Sequence, residues 1–170
     1  YLGGAHLEQH LKGFFEDRIT FVPQFIGVFG FRFDQHPLVG FTPSPRVALL
    51  VKPTPSQVIR ASVGTAFRTP TFLESYLDLV IPSGVVTGVG ISSRGSLDLR
   101  PENNLSVQLG YLFESSNFFS FGLDAYYQRV SDFILLGNIE SGGAIPQRYG
   151  NTFVTGTSRF QNADNLFHVL

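Results

Sequence analysis

The sequence predicts an all-β, antiparallel, up-and-down transmembrane barrel, and three observations carry the prediction. The first is one face of one segment. Read in steps of two, Ile19, Phe21, Pro23, Phe25, Gly27, Phe29, Phe31 and Phe33 hold no charge. The interleaved Thr20, Val22, Gln24, Ile26, Val28, Gly30, Arg32 and Asp34 are mixed and end polar. Strand side chains alternate with period two, so Ile19–Phe33 reads as one long strand with an apolar, Phe-rich face. Such a face must be covered by a second sheet or by membrane hydrocarbon. The second observation is composition: only 15% of residues are charged, 14% are aromatic, and 18 are Phe. An ordinary soluble domain carries roughly 25% charged residues. The third is the spacing of turn signals, which alternate between short and long connections.

Taken in order, Ala5–Leu11 alternates, with Ala5, Leu7, Gln9 and Leu11 opposite His6, Glu8, His10 and Lys12. Gly13–Arg18 is read as a short connection into the Phe-rich strand. Asp34–Pro45 is expected to be a loop, marked by Pro37, Gly40, Pro43 and Pro45. Arg46–Lys52 is a strand, and Pro53-Thr54-Pro55-Ser56 a tight turn, because Pro fixes φ and cannot extend a ladder. Val58–Arg68 sets Ile59, Ala61, Val63, Thr65 and Phe67 against Arg60, Ser62, Gly64, Ala66 and Arg68. Thr69–Asn103 is expected to be long and irregular. Leu105–Phe113 and Phe118–Phe133 are strands joined at Ser115-Ser116-Asn117. Leu136–Ser158 is expected to be another loop, and Arg159–Leu170, with the weakest alternation, a last strand. That makes about seven strands. Several reach the roughly nine to eleven residues of a tilted membrane crossing, longer than the roughly five or six of sandwich strands.

The chain contains no Cys, Met or Trp, and its formal net charge is −1. No basic field points to nucleic acid. Without Cys there is no disulfide scaffold, thiolate nucleophile or Cys-ligated zinc. No stretch approaches the eighteen or so apolar residues of a spanning helix. Starting at Tyr1 without a leader, the piece is expected to be internal to a longer chain. A soluble β-sandwich is the other reading of the alternation. It would require Lys and Glu on the face that instead holds Gly, Ser, Gln and single charges.

Several stretches resemble the barrel of TonB-dependent outer-membrane receptors. The most specific block runs Ser44-Pro45-Arg46-Val47-Ala48-Leu49, then Lys52-Pro53-Thr54-Pro55. It continues as Arg60-Ala61-Ser62-Val63-Gly64-Thr65-Ala66-Phe67-Arg68-Thr69-Pro70, with Glu74 close behind. It is similar to the family's Ser-Pro-Arg opening, Pro-Thr-Pro turn and Arg-Ala-Ser-x-Gly-x-x-Phe-Arg-x-Pro strand end. Supporting stretches are Leu99-Arg100-Pro101-Glu102 with Leu109-Gly110-Tyr111, the segment Asp124–Ile134, and Phe160-Gln161-Asn162-Ala163. Gln108 departs from the family, which often has Glu there, and Ile81–Ser96 matches no part of the pattern.

The resemblance implies a fragment, in the C-terminal half, of a 22-stranded barrel in the bacterial outer membrane. It implies one barrel domain over residues 1–170, without the plug that reaches the TonB complex. The expected partners are outer-membrane lipid, TonB through that plug, and a small-molecule ligand, with an iron chelate of the siderophore class foremost. A passive porin or adhesin-type barrel remains the alternative alongside the soluble sandwich. Pro45, Arg46, Gly64, Phe67, Pro70, Pro101 and Glu102 are family-motif positions with structural roles. Arg60 and Arg68 share one strand face, where a basic lining would attract an anionic ligand or pair with plug and neighbouring carboxylates. Arg68 and Glu74 sit where the strand passes into an outer loop, which makes them the foremost candidates for ligand or plug contact, with a purely loop-ordering role the equal alternative. Phe21, Phe25, Phe29 and Phe31 are expected to face lipid. Tyr111, Tyr126 and Tyr127 are girdle or packing residues.

Catalysis has no anchor in the four His residues, and no cofactor is expected. His6 and His10 invite a metal reading, but on a strand they stand roughly 13 Å apart, too far to share an ion. No metal is expected.

Overall fold

The computed structural model describes residues 7–82, 84, 86–115, 119–141, 147–163 and 167–169. No helix among them is long and apolar enough to cross a membrane. The chain groups into two compact units. One contains Gln9–Arg68, Asn103–Ser131 and Asn165–Leu170; the other contains Tyr1–Glu8, Thr69–Glu102 and Asp132–Asp164.

The first unit is built on a seven-stranded sheet. Its strands are β1 (Leu11–Val22), β2 (Phe25–His36), β3 (Gly40–Thr54) and β4 (Gln57–Arg68). An excursion separates these from β7 (Glu102–Ser115) and β8 (Phe119–Ser131), and a second one from β13 (Phe167–Val169). The order is β1-β2-β3-β4-β7-β8-β13, so each strand lies beside its successor in the sheet.

The Phe-rich segment is not one strand but a hairpin turning at Pro23-Gln24, with Val22 opposite Phe25. The alternation ran unbroken for a physical reason. A two-residue turn exchanges odd for even positions between the strands, and an irregularity between Thr20 and Val22 exchanges them back. Ile19 therefore pairs with Gly27 and Phe15 with Phe31, and the odd positions share one face across the turn. Gly13–Arg18, expected as a connection, lies within β1. Gly13 is there for contact, not for a break: a Cβ on it would meet the Phe33 ring at 2.6 Å.

The loop expected over Asp34–Pro45 shrinks to residues 37–39, closed by Gly40 at φ +76°. Pro43 and Pro45 belong to β3. They pair with Phe33 and Phe31 of β2, while the ladder to β4 begins only at Arg46. Pro is tolerated where one side of the strand asks for no donor. The second connection is thus short, and short and long connections do not strictly alternate. Ala5 and His6 lie outside the described residues, as do Ser116 and Asn117 of the expected turn.

The faces divide sharply. Phe15, Phe21, Phe25, Phe29, Phe31, Val47, Val63, Leu109, Phe121 and Leu123 are all exposed. Among the described residues of β1–β3, Asp17 is the one charge on that face. The opposite face carries Ile26, Val28, Arg46, Ala48, Leu50, Arg60, Ser62, Gln108, Asp124 and Tyr126 around a concavity of about 700 Å³.

The second unit replaces the two expected loops with structure. Thr69–Asn103 forms α1 (Phe72–Tyr76), β5 (Asp78–Pro82) and β6 (Val89–Arg94) before β7 begins. Residues 134–162 form β9 (Ile134–Leu136), β10 (Glu140–Ser141), β11 (Gln147–Tyr149) and β12 (Thr152–Asn162). The sheet order is β10-β12-β6-β5, with β9 and β11 also paired to β12. β12 runs parallel to β6, joining segments some sixty positions apart. The expected last strand, Arg159–Leu170, is therefore divided between the two sheets. Strands as short as β5, β6, β9, β10 and β11 are too brief to show alternation, and a parallel pair has no local turn to announce it.

Candidate functional site

On the concave face of the seven-stranded sheet, charged side chains lie in rows with glycines beneath them. Arg60 on β4 reaches Asp124 on β8 at 2.6 Å (Nη2 to Oδ1). The two strands are not neighbours, for β7 lies between them. The bridge passes over Gly110, where a Cβ would stand 2.4 Å from Arg60 Nε and 2.5 Å from Asp124 Oδ1. Any side chain at 110 would occupy the path of the ion pair. Both partners are largely exposed, so the pair is worth little in stability and more in setting where its charges lie.

A second row reads Glu16, Gly30, Arg46, Gly64 across β1 to β4. A Cβ at Gly64 would sit 3.2 Å from Arg46 Cγ. Glu16 leans over Gly30, its Oε2 3.7 Å from where a Cβ would be. Arg18, also on this face, stands opposite Val28. Arg46 and Gly64 were expected as motif residues with structural roles. They face one another in register, and the bare Gly64 leaves room for the Cβ and Cγ of the Arg46 stem.

Arg60 and Arg68 are placed on one strand face, as alternation requires. Eight positions of strand separate their backbones by roughly 27 Å, so they do not form a single site. Phe67 lies under the Arg32 guanidinium, 5.6 Å from ring centre to Cζ. Ser44, beside Pro45, donates its hydroxyl to the Thr65 carbonyl.

In the second unit, Glu74 completes a capping box on α1. Its Oε2 accepts from the Thr71 backbone N–H at 2.7 Å, and its own N–H donates to Thr71 Oγ1 at 3.3 Å. Pro70 is buried just ahead of that cap. Glu102, next to Pro101, is 8% exposed and accepts from the Ile134 N–H at 2.8 Å. Asn162 accepts from the Arg100 N–H at 2.8 Å and donates to the Arg100 and Asp132 carbonyls at 2.9 and 2.6 Å. Asp132 itself, at φ 57°, is held by Arg100 at 2.8 Å. Three motif stretches recognised separately in the sequence thus converge on one polar knot of Arg100, Asp132 and Asn162.

Tyr149 donates to Asp78 at 2.9 Å, and that bond to a carboxylate raises its pKa above the ordinary phenol value. Tyr76 is also raised, by burial first and then by the Glu8 carboxylate. Sequence reasoning missed Asp124, Gly110, Arg18 and Asn162 as site residues. The one available signal was the recurrence of Gly at even positions beside strands bearing Arg.

His10 lies against His36, a residue that spacing did not suggest, with ring centres 4.5 Å apart and edge to face. His36 Nδ1 accepts from the Leu38 N–H at 3.1 Å.

A sheet with one exposed apolar face and one Arg-lined, glycine-paved face belongs to an outer-membrane β-barrel, whose wall separates lipid from an aqueous lumen. A family model described as TonB dependent receptor-like, beta-barrel, matches residues 4–165. The chain belongs to that family. It is 30% identical over 144 residues, 82% of its length, to the iron-regulated outer membrane virulence protein of Vibrio cholerae serotype O1. It spans about a fifth of that relative, 21%. Among solved structures it resembles the siderophore receptor PirA of Acinetobacter baumannii, with TM-score 0.72, 19% identity, and coverage of 94% of this chain and 24% of that one. It also resembles a mutant of the ferric enterobactin receptor of Pseudomonas aeruginosa, with TM-score 0.73, 21% identity, and coverage of 94% and 23%. These likenesses establish the outer-membrane barrel fold. The family is one of receptors and transporters, not an enzyme class.

Proposed function

We propose that this chain supplies barrel wall and outer excursions to a TonB-dependent transporter that takes up a scarce ligand, foremost a ferric siderophore. The observation that carries the reading is the division of the sheet. Its odd face is apolar and exposed, which suits lipid, and its even face presents guanidiniums to a concavity, which suits passage of a polar cargo. The iron-regulated relative and the siderophore receptors among its structural neighbours support the cargo class.

In this reading Phe21, Phe25, Phe29 and Phe31 face lipid. Closure of the ladder satisfies backbone N–H and C=O groups within hydrocarbon, where an unpaired group costs several kcal/mol. Energy would reach the cargo through a plug and TonB, and the wall described here would stay fixed while the plug moves. Arg60 serves by pairing with Asp124, Glu74 by capping α1, and Arg68 by its position at the end of β4. The work is binding and transport without catalysis.

Radioiron uptake by the full-length parent protein in iron-starved cells, with and without a functional TonB system, tests this. Uptake abolished without TonB is the expected result. TonB-independent passage would instead favour a passive porin.

A further inference from the structure

We infer that a notch on the lipid-facing side of the seven-stranded sheet, built around Arg129, binds the phosphorylated sugar headgroup of an outer-leaflet glycolipid. The inference rests on the reading of the odd face as lipid-facing and gives that face one specific lipid contact. The notch encloses about 440 Å³, and Pro43, Pro45, Thr65, Asn104, Leu105 and Arg129 are among its lining residues. Pro43 and Pro45 pair with Phe33 and Phe31, and Leu105 pairs with Arg129, which places these odd positions on the apolar face. The ladder between β3 and β4 begins only at Arg46. Pro has no N–H to carry that ladder further, and the notch lies at this end of the strands.

Charge sets the notch apart from the rest of the face. Among the odd positions of β1–β4, β7 and β8, Arg129 is the one cation, and it is exposed. Among the described residues it makes no ion pair, whereas Arg60 and Arg100 are each held by an Asp. His168 stands beside Arg129 in register, and its Nδ1 lies 2.6 Å from the Tyr127 hydroxyl. A phenol ring favours headgroup depth. Arg129 lies beyond Tyr127 toward the end of β8 at Ser131, where the chain leaves for its second excursion. An Arg facing hydrocarbon is costly, and the cost falls near the interface. At headgroup depth the same guanidinium can grip a phosphate through paired N–H groups.

Two lining residues add unused polar capacity. Thr65 Oγ1 and Asn104 Oδ1 are buried, and neither has a hydrogen-bond partner among the described residues. Buried polar atoms left in that state cost stability. A phosphate oxygen would accept from the Thr65 hydroxyl, and a sugar hydroxyl would donate to Asn104. Pro43, Pro45 and Leu105 offer an apolar wall to the acyl chain below. Cation, donor, acceptor and apolar wall together match a phosphorylated glycolipid. A zwitterionic phospholipid would instead bring a second cation against Arg129 and no sugar hydroxyl to Asn104.

The experiment uses the full-length parent receptor, delipidated in non-ionic detergent, with assembly checked by heat-modifiable mobility. Native mass spectrometry measures the dissociation constant of the first bound lipid. The probes are lipid A, an acylated glucosamine disaccharide with phosphate monoesters, the same glycolipid with its phosphates removed, and inorganic phosphate as competitor. The receptors are the wild type, R129Q, R129K and T65V, so that an assembly defect in one leaves the others to decide. R129Q is expected to weaken lipid A binding roughly tenfold, and R129K less. T65V is expected to weaken it about threefold. The dephosphorylated glycolipid should bind wild type and R129Q alike.

Equal lipid A affinity in wild type and R129Q would overturn the inference, as would equal wild-type affinity for the two glycolipids. Displacement of lipid A by millimolar inorganic phosphate would assign the notch to a free anion and overturn the lipid assignment. A nitroxide at position 29 of the same receptor in lipid vesicles separates the two readings. If it is in lipid while R129Q binds as wild type does, this inference alone fails. If it is in water, the lipid-facing reading fails with it.

Discussion

The two units solve the same problem, satisfying a backbone away from water, in different ways. In the seven-stranded sheet the ladder does almost all of it. Each strand lies beside its successor in the sheet, and side chains are left free to divide by face. In the second unit the strands are short, one pair is parallel, and polar side chains bind backbone directly. Asn162 holds Arg100 and Asp132, Glu102 holds Ile134, and Ser158 donates to the Gly137 carbonyl. The first design suits hydrocarbon, where unpaired backbone is too costly and polar side chains are unwelcome. The second suits a segment that must hold a defined shape without the help of a long ladder. Mutations should therefore act through face in one unit and through single hydrogen bonds in the other.

The largest effect should come from breaking the face rule. Phe29→Arg places a cation on the lipid side of β2 and should cost roughly 2–4 kcal/mol near the membrane midplane. The measurement is equilibrium unfolding of the parent barrel in lipid vesicles, and a harmless Phe29→Arg would mean the faces are assigned backwards. Next is Glu102→Ala, which strands a buried Ile134 N–H. A hydrogen bond to a charged acceptor is worth about 1.5–3 kcal/mol. Its loss should appear as accelerated hydrogen exchange around Ile134 and Asn162, while β1–β4 stay protected.

Glu74→Ala removes half of the capping box on α1 and should cost about 0.5–2 kcal/mol, felt locally. Limited proteolysis between Thr69 and Leu77 would reveal it, and Glu74→Gln should recover part of the protection. The smallest effect is a pH response at Tyr149. Its raised pKa means the neutral phenol is the form that donates to Asp78. The contribution is complete below the ordinary phenol range and is lost as pH rises through the raised value. Ultraviolet titration of the parent protein against Tyr149→Phe should show one late-ionising phenol disappear.

Much of the first unit was legible because a two-sided sheet writes its faces into the sequence. Val58–Arg68 needed only a one-residue extension, to Gln57–Arg68, and the Arg60 and Arg68 face was readable from alternation alone. What failed were the boundaries. Pro23 was absorbed into a strand because the turn and the irregularity beside it cancel in parity. Gly13, Pro43 and Pro45 looked like breakers, yet Gly13 receives the Phe33 ring and the prolines lie where β3 has only one partner. In the second unit the parallel β6–β12 pair depends on contacts between distant segments, which period-two reading does not register. The Arg60–Asp124 bridge was illegible for a related reason. It skips a strand and is permitted by the missing side chain of Gly110, so its signature is an absence.

The central claim is that alternate residues of β2 and β3 face lipid and lumen, and spin-label accessibility in the full-length receptor tests it most directly. Single cysteines at 25, 29, 31 and 47, and at 26, 28, 46 and 48, would each carry a nitroxide in lipid vesicles. The account predicts that the first set relaxes with dissolved oxygen and resists a water-soluble nickel chelate, while the second set does the reverse. Uniform accessibility to the nickel chelate on both sets would contradict it, because the Phe-rich face would then be in water.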